Sequence, residues 1–249
     1  MKSPLNKLLI ANRGRGLFRC DASGTEATIY LYDVITDDDF FGGVSASAFV
    51  QALAGISAQT IHLRINSPGG DVFAGQAIAQ AIREKTATIV AHVDGLAASA
   101  ASWVALACDQ VLMAEGGFFM IHRANTIAMG DAEEMHATGA LLEKVDAVLC
   151  SSIARQTGNT EEQVATWMAA ETWFNAEEAV ANGFAEAISG PAPKNLVAWN
   201  LAAWSKAPAA AKSDASPPPD PTPAPDLEPP VANTDHLRRR LRLIEQAHA

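Results

Sequence analysis

Residues 94–108 read DGLAASAASWVALAC, and the interpretation of the whole chain depends on them. They follow a β-branched run, residues 88–93, and begin with Asp94-Gly95, which predicts a buried strand that ends at a breaker. Small residues come next, and then apolar residues at helical spacing. Ser99 is therefore predicted to lie where a strand turns into a helix, near free backbone N–H groups and the positive end of the helix dipole. A tightly packed Ala/Ser helix start would leave the same pattern, so this stretch alone leaves both interpretations open.

The overall composition limits the class of protein. A chain of 249 residues, 49% of them hydrophobic, is long enough for one domain with a sizeable core and appendages. A net charge of −10 argues against nucleic acid as a main partner. Three scattered cysteines without a CxxC pair favour a reducing compartment. No apolar run reaches the roughly 18 residues of a membrane span and no signal peptide is evident, so we expect a cytoplasmic protein without a membrane partner.

Repeated strand–turn–helix units predict an α/β fold. One unit lies at residues 61–85 and a second at 88–108, and a hairpin is predicted over residues 17–34. Residues 131–157 predict a long helix that begins with a capping box and ends at Gly158.

The composition changes after about residue 189. Eleven of the thirteen prolines follow this point, mixed with Ala, Ser and Asp, which is typical of disordered chain. We therefore predict a folded domain at residues 1–188, a disordered linker at 189–232 and a short basic amphipathic helix at 233–249. Residues 1–16 are predicted to be a flexible arm. Trp199 and Trp204 lie in an apolar patch of the linker and indicate a short docking motif.

A second turn, SPGG at residues 67–70, also follows a strand and opens a helix. Glycines at such a turn allow backbone N–H groups to point at a bound atom, although a Pro-Gly-Gly turn is also a common structural element. Gly70 precedes Ser99 by one strand–helix unit, so the two turns are predicted to lie side by side at one sheet edge. The N–H groups of Gly70 and Ala100 could then flank one oxygen atom that gains negative charge.

Two further residues complete a candidate catalytic group. His122 ends the predicted strand at residues 118–122, in the unit after Ser99, and is the candidate general base. Glu171 is the candidate acid that orients it, because bulky Trp173 and Phe174 beside it indicate partial burial. The competing interpretations are a structural histidine and an exposed surface glutamate.

These residues carry a family resemblance. INSPGG at 65–70, GLAASAAS at 95–102 and MIH at 120–122 resemble the Clp protease proteolytic subunit family, and WFNAEEAVANG at 173–183 resembles its closing helix. The resemblance covers about residues 27–188 and is strongest to the bacteriophage head maturation (prohead) protease branch. It implies that Ser99 is the nucleophile, His122 the base, and the backbone N–H groups of Gly70 and Ala100 the oxyanion donors. The third member is usually an aspartate in this family, and Glu171 stands in its place here.

The resemblance also implies an architecture and partners. We expect a ClpP/crotonase-type α/β fold of stacked strand–strand–helix units with the long helix as a protruding handle, in a homo-oligomeric ring that is a heptamer or double heptamer. The expected reaction is peptide hydrolysis by a serine endopeptidase without a metal or organic cofactor. A capsid or scaffold protein would be the substrate, an unfoldase ATPase a partner, and the host cytoplasm the location of a phage-encoded chain. The substrate peptide is expected to lie extended along two stretches of backbone, formed by Gly69, Asp71 and Val72 and by Arg123, Ala124, Asn125 and Thr126.

Two other classes of function stay open at this stage. A crotonase-type acyl-CoA enzyme would use the same pair of N–H groups on a thioester and would not need the Ser99–His122 pair. A capsid-associated structural protein would carry a vestigial active site. Labelling with a fluorophosphonate distinguishes these classes, because only an activated serine reacts.

Overall fold

The computed structural model describes residues 4–38, 42–194 and 196–208. These belong to the first of two compact units, Met1–Pro217; the second unit, Pro218–Ala249, lies outside the described residues together with the predicted terminal helix. The strands are β1 (Leu17–Ser23), β2 (Glu26–Tyr32), β3 (Ile35–Thr36), β4 (Val44–Ser45), β5 (Thr60–Ser67), β6 (Thr88–Ala98), β7 (Gln110–Glu115), β8 (Phe118–Ile121), β9 (Thr172–Asn175) and β10 (Ala187–Pro191). The helices are α1 (Pro4–Ala11), α2 (Ala46–Ala54), α3 (Val72–Glu84), α4 (Ala100–Ala105), α5 (Ala132–Thr157), α6 (Glu161–Ala170) and α7 (Ala176–Ala181).

A central sheet in the order β1-β2-β5-β6-β7-β10 organises the fold. The β1–β2 hairpin is antiparallel, as predicted, and every other neighbouring pair on this path is parallel. Helices connect the parallel strands β5 and β6 to the next element, which is the arrangement that parallel pairing requires. The predicted α/β fold is confirmed.

Strand β6 differs from its prediction in length. It does not end at Asp94-Gly95 but continues to Ala98, because its last three residues pair with β8 after its earlier residues pair with β7. Asp94 fits inside a strand because Arg64 forms an ion pair with its carboxylate and the Tyr32 hydroxyl donates to it. A buried carboxylate with such partners no longer opposes strand formation.

The helix termini follow the predicted capping residues. Asp131 and Glu134 form a capping box at the start of α5, and Gly158 ends that helix in the left-handed conformation. The buried residues of α5 all lie in its last third, from Leu149 onward. Its first two turns and its middle are mainly exposed, as expected of a handle. Among the described helices, none combines the length and the apolar character that a membrane crossing needs.

Both ends of the described chain differ from their predictions. Residues 4–11 form α1, whose Leu8 and Leu9 are buried, where a flexible arm was expected. Strand β10 extends to Pro191, and residues 196–208, hereafter the 196–208 segment, pack into a second apolar cluster with α1. The reason is mutual burial, since the two terminal stretches cover each other's apolar side chains and neither has a core of its own. Residues 209–232 lie outside the described residues.

Candidate active site

Ser99 lies directly between β6 and α4, as the sequence predicts, in a strained backbone conformation. Its φ of 54° and ψ of −123° fall where non-glycine residues rarely occur. Hydrogen bonds hold it there: Ser99 N donates to the Met120 carbonyl at 2.9 Å, and the Ser99 carbonyl accepts from Ser102 N at 3.0 Å. Strained residues of this kind cluster at functional sites, where surrounding contacts impose the conformation.

His122 follows β8 and meets Ser99. The Ser99 Oγ lies 2.7 Å from the His122 Nε2, which is hydrogen-bond distance. Burial lowers the pKa of His122 below its usual 6.5, although the charge of Glu171, a hydrogen bond with the Arg123 backbone and the charge of Asp146 act in the opposite direction. A neutral imidazole near pH 7 can accept the serine proton at Nε2, so the pair has the chemistry of a nucleophile and its base.

The SPGG turn lies against Ser99, as the parallel pairing of β5 and β6 requires. A Cβ at Gly69 would overlap the Ala98 carbonyl oxygen and would come within 2.7 Å of the Ser99 Cβ. Gly70 adopts a φ of 154°, and a Cβ there would collide with the Ile35 backbone. Ala100 is the first residue of α4, so its N–H has no acceptor within the helix. Two glycines thus allow the turn to reach the nucleophile.

The carboxylate of Glu171 is engaged away from His122. Its oxygens accept hydrogen bonds from Ser205 N at 3.1 Å, Ser205 Oγ at 2.7 Å, Lys206 N at 2.6 Å and Trp173 Nε1 at 3.3 Å. Partial burial acts to raise the pKa of Glu171, but the donors from Lys206, Ser205 and Trp173 outweigh it and keep that pKa below its usual value. Glu171 still lies close enough for its charge to raise the pKa of His122. Ser99 and His122 are thus in direct contact, and Glu171 acts on His122 in this structure through its charge.

A cavity of about 250 Å³ adjoins the Ser–His pair. Of the residues predicted to contact substrate, Asp71, Val72, Ala124, Asn125 and Thr126 line it together with Ser99, His122, Gly70 and Ala100. Gly69 and Arg123 do not line this cavity. Much of the remaining wall is apolar, including Phe73, Trp103, Ile121, Leu141, Leu142, Val145, Leu149 and Ile153, and the polar residues Ser102 and Thr138 also line it.

One predicted backbone contact is restricted by bonds inside the chain. Arg123 N donates to the Met168 carbonyl at 3.1 Å, and Ala124 N donates to Asp146 Oδ1 at 2.7 Å. These two amides are therefore not available to a peptide in this state. On this side, pairing with a substrate would depend on carbonyl groups and on the amides of Asn125 and Thr126.

The family model of the Clp protease matches residues 24–191. This chain belongs to the Clp protease family. An ATP-dependent Clp protease proteolytic subunit 2 of Treponema denticola is 33% identical over 135 residues, which cover 53% of this chain and 68% of the relative. The proteolytic subunit 2 of Pseudomonas aeruginosa is 30% identical over 55% of this chain and 69% of its own length. The proteolytic subunit 3 of Rhodococcus jostii is 29% identical over 61% and 76%.

Membership of the Clp protease family makes this chain a serine endopeptidase. Two serines lie close together in the motif, and they have different environments. The Ser102 Oγ donates to the Ser99 carbonyl at 2.6 Å and is buried inside α4, one helical turn after Ser99. Both serines line the cavity, but the Ser99 hydroxyl is the one at hydrogen-bond distance from the histidine.

Sequence reasoning missed part of the candidate site. Trp204 and three residues at the N-terminal end, Pro4, Leu5 and Leu8, also line the cavity beside Ser99. The Trp204 ring lies 4.6 Å from the His122 ring, centroid to centroid, at an interplanar angle of 51°. The sequence signal was the apolar patch with two tryptophans. It indicated a docking motif but not the surface on which the motif docks.

Proposed function

We propose that Ser99 and His122 hydrolyse peptide bonds by acyl transfer. The observation that carries this is the 2.7 Å contact between Ser99 Oγ and His122 Nε2 at a strained strand–helix junction. Ser99 Oγ attacks the peptide carbonyl while His122 Nε2 takes the hydroxyl proton, and the imidazolium then protonates the leaving amine. Water then attacks the acyl-serine while His122 Nε2 takes a proton from it. The imidazolium returns this proton to Ser99 Oγ as the carboxylic acid product leaves.

The backbone N–H groups of Gly70 and Ala100 stabilise the oxyanion of the tetrahedral intermediate. Ala100 is suited to this because its amide lies at the open N-terminus of α4, and Gly70 because its turn packs against Ser99. Glu171 stabilises the charged form of the imidazole through its own charge. It orients the imidazole only where Ser205 and Lys206 no longer occupy its carboxylate. The backbone of Gly69, Asp71 and Val72 on one side and of residues 123–126 on the other holds the peptide in an extended conformation. The amides of Asp71, Arg123 and Ala124 are bonded inside the chain, so this pairing uses the other amides and the carbonyl groups.

The cavity wall gives the substrate preference. Its lining from α5 and β8 is mainly apolar, with Leu142, Val145 and Ile121 among its members. Burial of an apolar side chain there contributes about 25 cal/mol per Å² of surface removed from water. We therefore expect cleavage after apolar residues and poor cleavage after acidic ones.

The finer assignment is a head maturation protease of bacteriophage type that acts in the host cytoplasm as a ring. The resemblance of the three motifs to that branch supports the phage assignment. The relatives are named proteolytic subunits of ATP-dependent proteases, which supports an assembly of several subunits and an unfoldase ATPase as partner. The heptameric or double-heptameric ring and the capsid or scaffold protein as substrate rest on the resemblance of the motifs alone.

Fluorophosphonate labelling followed by peptide mapping tests the proposed chemistry. We expect label on Ser99 in the native chain, no label and no peptide hydrolysis in Ser99→Ala, and retained label in Ser102→Ala. Label that persists in Ser99→Ala and disappears in Ser102→Ala would contradict the assignment. Absence of label in the native chain and in both variants would favour an acyl-CoA enzyme or a vestigial site.

A further inference from the structure

The 196–208 segment is docked on the active site by buried apolar side chains. Trp199, Leu201 and Trp204 are 2%, 1% and 6% exposed, and they share an apolar cluster with Leu8 of α1 and Met120 of β8. A segment outside the family match thus packs in one cluster with Ala98, which directly precedes Ser99, and with Met120, two residues before His122.

Polar contacts fix the register of this docking. Asn12 Nδ2 donates to the Asn200 carbonyl at 3.0 Å, and Asn200 N donates to Asn12 Oδ1 at 2.7 Å. Asn66 Nδ2 donates to the Val197 carbonyl at 2.9 Å. The Trp204 Nε1 donates to the Pro68 carbonyl at 3.3 Å, inside the SPGG turn. The segment therefore has one defined position on the body.

Two contacts reach the catalytic group itself. Trp204 packs its ring against His122 and forms part of the cavity wall next to Ser99. The Ser205 amide and hydroxyl and the Lys206 amide occupy both oxygens of Glu171. A carboxylate with these donors is less available to accept the His122 Nδ1–H, and a peptide along the SPGG turn would meet the Trp204 ring.

Docking also leaves a buried polar group unsatisfied, and the free energy this costs favours release of the segment. The Trp199 indole N–H is buried without a hydrogen-bond partner among the described residues. A buried unsatisfied donor costs about 1–3 kcal/mol. The bonds to Glu171 come from the exposed residues Ser205 and Lys206, where water competes for the same groups.

We propose that the 196–208 segment is an autoinhibitory element of the peptidase. While docked, it narrows the substrate cavity with Trp204 and keeps Glu171 from completing the catalytic group; when released, it frees both. This rests on the proposed peptidase function of Ser99 and His122. The activity of the full chain is then proportional to the small fraction of molecules in which the segment is released, because only those molecules bind substrate productively.

Single substitutions in the full chain test the proposal. Trp204→Ala removes the contact with His122, Trp199→Ala weakens docking away from the catalytic group, and Ser205→Pro removes one amide and one hydroxyl donor to Glu171 without changing a core residue. We expect each to raise the fluorophosphonate labelling rate of Ser99 and kcat/KM on a short peptide, by about tenfold or more for Trp204→Ala. Ala202→Ser, at an exposed position of the same segment, is the matched control and should match the native chain.

The outcomes separate this proposal from the peptidase assignment. Circular dichroism first shows which tryptophan variants are folded. Autoinhibition would be overturned if the native chain is labelled at Ser99 while Ser205→Pro and the folded tryptophan variants show unchanged or slower labelling and kcat/KM. The peptidase assignment would then stand. Absence of label in the native chain and every variant would overturn both. If the tryptophan variants fail to fold, Ser205→Pro still decides the question. A synthetic peptide of residues 196–208, added to the Ser205→Pro enzyme, is then expected to slow its labelling and its peptide hydrolysis.

Discussion

At the scale of single residues, Ser99 shows how the chain supports a conformation that its sequence alone disfavours. A residue held in a sparsely populated region costs about 1–3 kcal/mol. Here the Ser99 amide and carbonyl are both hydrogen-bonded, to Met120 and to Ser102, so leaving the strained state would break these bonds. The hydroxyl is held toward His122 as a result, and the geometry for proton transfer exists before substrate arrives.

The role of Glu171 is tested at the same scale by Glu171→Gln. The negative charge of Glu171 raises the pKa of His122, so its removal lowers that pKa. Activity needs neutral His122, and the acid limb of the kcat/KM profile should therefore move to lower pH. If Glu171 also stabilises the imidazolium, kcat should fall by at least about 10²-fold, toward the roughly 10⁴-fold known for the aspartate-to-asparagine change in serine proteases.

Glu177→Gln is the control for this measurement, since Glu177 is exposed on α7 and is not the capping-box glutamate of that helix. It should leave the pH profile and kcat unchanged. An unmoved acid limb with near-normal kcat in Glu171→Gln would reduce the site to a Ser99–His122 dyad.

At the scale of elements, the site depends on the close approach of two strand–helix junctions. The β5–α3 turn touches the β6–α4 junction because the residue between them, Gly69, has no side chain. Close packing at this point places the Gly70 amide beside the nucleophile. Any side chain at position 69 would force the junctions apart.

Gly69→Ala tests this packing. The new Cβ would overlap the Ala98 carbonyl oxygen, and the φ of 85° is itself unfavourable for alanine. We expect a loss of stability of about 1–3 kcal/mol and a loss of most labelling at Ser99. Gly139→Ala in α5 is the matched control, because a Cβ there meets no atom within 4 Å and alanine favours a helix by roughly 1 kcal/mol. It should raise the urea midpoint; unfolding curves in which Gly69→Ala equals the native chain would contradict the packing argument.

At the scale of the whole molecule, α5 presents apolar side chains that the described chain leaves about half exposed. Leu141 and Val148 are 53% and 54% exposed, and Met135 is 38% exposed. A group of exposed apolar residues on one element indicates an association surface, whereas single exposed apolar residues are common on any protein surface. These residues suit a contact between the two rings of the proposed double ring, with α5 as the handle.

Val148→Glu is the corresponding prediction. A charge at a buried apolar contact between subunits would be desolvated, so the assembly should separate into smaller species in native mass spectrometry. Lys144→Glu changes the charge at an exposed position of the same helix and should keep the native mass. An unchanged oligomer in Val148→Glu would exclude α5 as the contact surface.

The local pattern of the sequence was enough for much of this protein. The capping box that begins with Asp131, the strand–helix units and the order of the motifs depend on short-range physics. They therefore predicted the α/β fold and the Ser99–His122 pair. The length of β6 and the placement of the 196–208 segment depend on partners distant in the chain. Pairing with β8 keeps Asp94-Gly95 inside a strand, and mutual burial with α1 makes a proline-flanked apolar patch a docked element. Where the Glu171 carboxylate finds its donors was likewise decided by Ser205 and Lys206, because a carboxylate binds the nearest amides that the tertiary structure brings to it.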